Sequence, residues 1–151
     1  MAPTLEDWEK VLPPVPAPVA NYALFRRSGR IAYTAGVIPL VEGRLQVEGR
    51  LGGDLALEEG YEAARTCALL ALSILREHLK GLDGITQVLR VVVFVASTPE
   101  FHEQSQVADG ATDLLVEVLG EAGKPTRVAV GVAGLPLGAP VELALTVETR
   151  P

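Results

Sequence analysis

Cysteine is nearly absent. Cys67 is the single thiol in 151 residues, so no internal disulfide can form, and with only 2 histidines no Cys/His cluster has metal-ligand spacing. Basic charge is scarce as well: 13 Lys and Arg stand against 19 Asp and Glu, a formal net charge of −6. That balance leaves no field to attract phosphates and argues against a nucleic-acid or anionic-membrane partner. Long apolar runs are missing too. The longest helix-like stretch is broken by Arg65, Arg76 and Glu77, and the chain opens with Glu6, Asp7 and Glu9, so neither a membrane span nor a signal peptide is read. A reducing cytoplasm is the expected compartment.

What the chain does hold is apolar surface. Hydrophobic residues make up 48% and 15 glycines come on top of them, above the usual combined share of about 45 to 50%. A shared subunit interface is the ordinary way to cover such an excess, so a homo-oligomer is expected. The length suits one domain over residues 1–151. Residues 1–18 form an N-terminal extension, in which Leu5, Trp8 and Leu12 line one side of a short helix. The run Pro13-Pro14-Val15-Pro16-Ala17-Pro18 follows as an extended strap.

Periodicity gives the remaining elements. Alternation over 22–27 and 30–34 around Ser28-Gly29 predicts a β-hairpin, and a short strand is read around 44–47. Leu57, Tyr61, Ala64, Ala68, Leu72, Leu75 and Leu79 recur at steps of three and four, predicting a helix over about 55–80 with Asp54 as its N-cap. Val88 to Ala96 is almost continuously apolar and reads as a central strand buried on both faces. A second helix is expected to start at Thr98-Pro99-Glu100, with Val107, Ala111, Leu114, Leu115 and Val118 facing inward. Alternating valines and leucines over 128–132 and 141–147 predict a closing antiparallel hairpin. The order β-β-(β)-α-β-α-β-β makes an α+β fold, a mixed sheet with two long helices on one face and the other face left for a partner.

Centring the last hairpin between Leu135 and Pro136 places Arg127, Ala129 and Gly131 on one face. Glu142 then lies across from Ala129 and one diagonal step, about 7 to 8 Å, from Arg127. A cation and a carboxylate would share a small patch with room beside them. Pattern alone leaves two readings open, a strand-edge ion pair or a site for a small ligand.

The stretch from Pro125-Thr126-Arg127 through Val128-Ala129-Val130-Gly131-Val132-Ala133-Gly134-Leu135-Pro136 to Val141-Glu142-Leu143 resembles the C-terminal signature of the RidA/YjgF enamine and imine deaminase family. Thr34-Ala35-Gly36-Val37-Ile38-Pro39 is similar to that family's S-G-Q-I-P turn, and Val91 to Val95 followed by Phe101 to its central strand and second helix. The proline strap is similar to the longer-chain branch, labelled endoribonuclease-like or chorismate-mutase-like. The resemblance implies a chorismate-mutase-like fold assembled as a homotrimer, with a ligand cleft at each subunit boundary. It implies that Arg127 binds the carboxylate of a short 2-imino or 2-enamino acid, a task suited to a planar bidentate donor. A water held by Glu142 and backbone groups would attack the imine carbon, releasing ammonia and a 2-keto acid without any cofactor or metal. Tyr22 matches a cleft-wall tyrosine and Gly36 a glycine whose backbone approaches the ligand. Ala129 stands where the family has a cysteine. A gap-free count puts the family's helix asparagine at Gly110, next to Asp109. These departures imply a related ligand, not an identical one, and leave as the alternative a silent trimer that binds small carboxylates or a regulatory partner. Ribonuclease activity, the family's older label, fits the acidic charge and the missing histidine pair poorly.

Overall fold

The N-terminal helix is set by its own first residues. In the structure, a computed structural model covering residues 1–151, Thr4 caps α1 (Leu5–Val11) through a reciprocal pair of bonds. Its Oγ1 accepts from the Asp7 N–H, and the Asp7 carboxylate accepts from the Thr4 N–H. Leu5, Trp8, Leu12 and Val15 pack on the core of their own chain. Ser73 Oγ donates to the Pro13 carbonyl at 2.7 Å, and the Glu9 carboxylate accepts from the Leu82 N–H at 2.7 Å. Helix and strap are thereby tied to the subunit that carries them.

The first hairpin joins β1 (Phe25–Ser28) to β2 (Ile31–Thr34). Its turn is Gly29-Arg30, one residue later than Ser28-Gly29, because the glycine at φ 61° takes the first turn position and Ser28 pairs with Ile31. Tyr22 precedes the strand, in a tight turn where its N–H donates to the Ala20 carbonyl. The weakly patterned region beyond holds a two-residue ladder of β3 (Leu40–Val41) with β4 (Arg44–Leu45).

The long helix α2 (Leu57–Leu79) begins at Ala56, whose N–H is accepted by Glu59, and not at Asp54. Asp54 instead accepts from the Arg50 N–H. The chain stays extended there because Leu51 and Leu55 are both buried, Leu51 bridging to Ser97. The helix α3 (Gln104–Leu119) likewise starts later than the sequence suggests. Pro99 occupies a turn in which Phe101 N–H donates to the Thr98 carbonyl, a position proline favours as much as a helix start.

One five-stranded sheet has the order β1-β2-β7-β5-β6, with β5 (Ile85–Ala96), β6 (Thr126–Val132) and β7 (Val141–Thr149). β5 runs parallel to β6 and antiparallel to β7. The expected β6–β7 hairpin is therefore not formed: β5 lies between the two strands. The connection from 133 to 140, with its turn at Pro136–Gly138, is long enough to step past β5, which gains a hydrogen-bonded partner on each edge. β5 is interior but covered on one side only. Val91, Val93 and Val95 are fully buried under the helices, while Val92 and Phe94 on the other face are half-buried. Two helices cover one face of a sheet, and this chain places no third layer on the other. No helix is long and apolar enough to cross a membrane.

The two long helices approach closely at Gly110, where a Cβ would overlap the Tyr61 backbone carbonyl. Gly110→Ala is expected to cost about 2 kcal/mol in urea unfolding, overpacking outweighing the better helix propensity of alanine. Gly134→Ala, with nothing near its Cβ, should stay within about 0.5 kcal/mol. Equal values for the two would remove the close-packing role of Gly110.

Candidate functional site

The residues singled out by sequence fall into two groups. Alternation along the edge strand β6 turns Arg127, Ala129 and Gly131 toward α3, on the face shared with Val91, Val93 and Val95 of β5. There Arg127 meets three polar side chains spaced four and three residues apart on one face of the helix. Its guanidinium donates to Asp109 Oδ1 at 2.8 Å, to Thr112 Oγ1 at 3.2 Å and to Ser105 Oγ at 2.6 Å. These bonds fix the fork and occupy part of its five-donor capacity, leaving N–H groups for a ligand. Small residues continue the strand beside it. A Cβ on Gly131 would come within 2.7 Å of Ser97 Oγ and 2.9 Å of Gln104 Nε2, so the floor next to Arg127 is narrow and polar.

The second group lines a cavity of about 640 Å³ at the other face of the sheet. Tyr22, Gly36, Ile38, Leu137 and Glu142 contribute to its wall, joined by Pro16, Ala17 and Val19 of the strap. Gly36 is fixed next to Glu142 by backbone pairing: Val37 N–H donates to the Leu143 carbonyl at 2.8 Å, and Leu143 N–H to the Val37 carbonyl at 3.0 Å. The Glu142 carboxylate lies against the space a Cβ at position 36 would take, so glycine lets the carboxylate sit close to the backbone there, and a side chain would displace it. Burial raises the Glu142 carboxyl above its ordinary value of 4.5.

The two groups do not meet within one chain. Glu142 pairs with Phe94 and Leu143 with Val93, so Glu142 stands on the face opposite Arg127. The single patch expected from the hairpin register is corrected accordingly. Gly110 is also displaced from the expected role: it serves the helix crossing, and its neighbour Asp109 holds Arg127. Ser105, Asp109 and Thr112 share one helix face by their spacing, but nothing in the sequence aims that face at Arg127. Ala129 is half-buried beside the core. Cys67 is buried, with its thiol pushed well above the usual range by desolvation and by the Glu142 charge. His78 stacks on Phe25 at 4.7 Å. No cluster of His, Cys, Asp and Glu gathers in a form that could hold a metal ion.

Residues 6–148 match the family described as "YjgF/chorismate_mutase-like, putative endoribonuclease". The chain belongs to this family. Protein TCP17 of Trypanosoma cruzi is 44% identical over 138 residues, covering 91% of this chain and 86% of that protein. A solved protein of unknown function from Agrobacterium tumefaciens superposes with a TM-score of 0.88 at 36% identity over 97% of each chain. A structure from Shewanella oneidensis that carries the same endoribonuclease description superposes at 0.91 with 31% identity, covering 97% of this chain and 99% of the other. The YjgF fold is thus shared over almost the full length, strap included.

Ionised Glu142 is the costlier form in this YjgF-family chain. Its contribution to stability is full below the ordinary glutamate pKa and is lost as pH rises through the raised one. Carboxyl NMR titration should show a midpoint for Glu142 above 4.5. Glu142→Gln, neutral throughout, should gain stability relative to the native protein as pH rises from the ordinary glutamate pKa through the raised one. A midpoint at or below the ordinary value would contradict the burial described.

Proposed function

We propose that this protein hydrolyses reactive 2-imino and 2-enamino acids to 2-keto acids and ammonia, at a cleft that a second copy of the chain completes in a homotrimer. The carrying observation is the division of the site into two half-sites on opposite faces of one sheet. Arg127 is a rigidly held cation with donors to spare, and Glu142 is a desolvated carboxylate beside a glycine backbone. Neither group alone suits the reaction. A neighbouring copy that presents its Glu142 cavity to Arg127 would supply both.

The uncovered sheet face supports such an assembly. Val92, Phe94 and Ala144 are half-buried there, and Val130 and Tyr33 are 41% and 51% exposed. An apolar band of this kind gains most by covering. In the assembled cleft the guanidinium would hold the substrate carboxylate in a charge-assisted fork. Glu142 would take a proton from water as its oxygen attacks the imine carbon. Collapse of the resulting carbinolamine breaks the C–N bond, and the proton leaves with ammonia. A carboxyl pKa raised by burial makes Glu142 a stronger base than an exposed glutamate. The net charge of −6 gives no field for polynucleotide phosphates, so the small-molecule reading is better supported than the family's endoribonuclease description.

The test is ammonia release from freshly generated 2-aminoacrylate or 2-iminobutanoate. Arg127→Ala should lose about 100-fold or more in kcat/KM, and Arg127→Lys should recover only part of it, since a single ammonium cannot make the fork. Activity should fall on acidification through the raised Glu142 pKa. Equal rates in the native and Arg127→Ala proteins would remove the proposal. Binding of 2-ketobutyrate without turnover of any imine would replace it with a silent carboxylate binder.

A further inference from the structure

We infer that the N-terminal strap is a wall of the substrate cavity and selects 2-imino acids, with their 2-keto products, that carry bulky apolar side chains. The inference rests on the deaminase reading for its reaction, and on the cavity for its selectivity. The hollow beside Glu142 measures about 640 Å³. Sites of about 300 to 1,000 Å³ accommodate drug-sized molecules, and a pyruvate-sized acid fills a small part of such a space.

Polar side chains are few in the hollow. Glu142 and the Tyr22 hydroxyl supply them, whereas Pro16, Ala17 and Val19 of the strap and Leu24, Ile38 and Leu137 of the domain make most of the lining apolar. A polar substituent placed among these side chains would find no partner there and would lose its hydration. An aliphatic or aromatic one would gain from burial. Val19 is 86% exposed and Leu137 66% exposed in the chain by itself, so both retain apolar area for a ligand to cover together with the neighbouring copy that completes the cleft.

The wall is also fixed in advance. The capped α1, the Glu9–Leu82 bond and the Ser73–Pro13 bond anchor the strap up to its first proline. From there Pro14, Pro16 and Pro18 hold the backbone extended. A wall already ordered costs a ligand little entropy on binding.

Calorimetry on the full-length protein with 4-methyl-2-oxopentanoate and with pyruvate tests the assignment. The larger acid should bind at least about tenfold more tightly, and Val19→Asp should bring the ratio of the two affinities toward one. Equal affinities in the native protein, or an unchanged ratio in Val19→Asp, would overturn the strap's role. The reaction has its own readout, with imines generated from leucine and from alanine by an amino-acid oxidase. Turnover of both at equal kcat/KM removes the selection and leaves the deaminase reading standing. Selective binding of the larger keto acid with no turnover of either imine removes the deaminase reading and retains the apolar wall.

Discussion

The insertion of β5 between β6 and β7 governs the rest of the molecule. Because β5 hydrogen-bonds to both neighbours, the side chains of β6 and β7 are registered to it and not to each other. Arg127 shares a face with Val91, and Glu142 shares the opposite face with Phe94. A cation and a carboxylate that lie close in sequence order are thus separated by the thickness of a sheet. The helices occupy the Arg127 side, so the Glu142 side keeps an apolar surface and a hollow. A subunit built this way has its chemistry divided between two surfaces, and the proposed trimer follows from that division more directly than from any single residue.

Local contacts then refine each half. On the helix side, Ser105, Asp109 and Thr112 hold the Arg127 fork, and Asp109 offsets part of its charge at 2.8 Å. On the other side, the Val37–Leu143 pairing brings Gly36 under Glu142. Close approach recurs at three glycines: at Gly110 a Cβ would meet a rigid backbone carbonyl, whereas at Gly36 and Gly131 it would displace a carboxylate and a serine hydroxyl. The strap adds the outer wall of the hollow, and its anchoring explains why a proline-rich segment with little secondary structure packs on the domain.

Elements dominated by local periodicity are readable from the sequence: both long helices with the inward residues of α3, and the first hairpin, which opens the sheet at one edge. The errors share a physical origin in nonlocal pairing. Alternation over 128–132 and 141–147 is the same whether those strands pair with each other or with a third between them, and a turn-rich 133–140 segment fits either. Hairpin register sets Glu142 across from Ala129 on the Arg127 face, whereas pairing through β5 puts it on the opposite face. Asp54 and Pro99 were sound capping candidates overridden by the burial of Leu51 and Leu55 and by the Thr98–Phe101 turn. At Gly110 the count was one residue from Asp109, the side chain that reaches Arg127, since a helix turns neighbouring residues about 100° apart. Family resemblance picked out Arg127, Glu142, Tyr22 and Gly36. Geometry then grouped Tyr22, Gly36 and Glu142 around the same hollow.

Subunit complementation tests the divided site most directly. Arg127→Ala and Glu142→Gln each remove a different half, and refolding the two inactive variants together as mixed trimers should rebuild one intact cleft for about a quarter of the subunit boundaries. Recovery of roughly that fraction of native ammonia release is the expected result. No recovery, with both variants shown to assemble together, would contradict a cleft made from two chains.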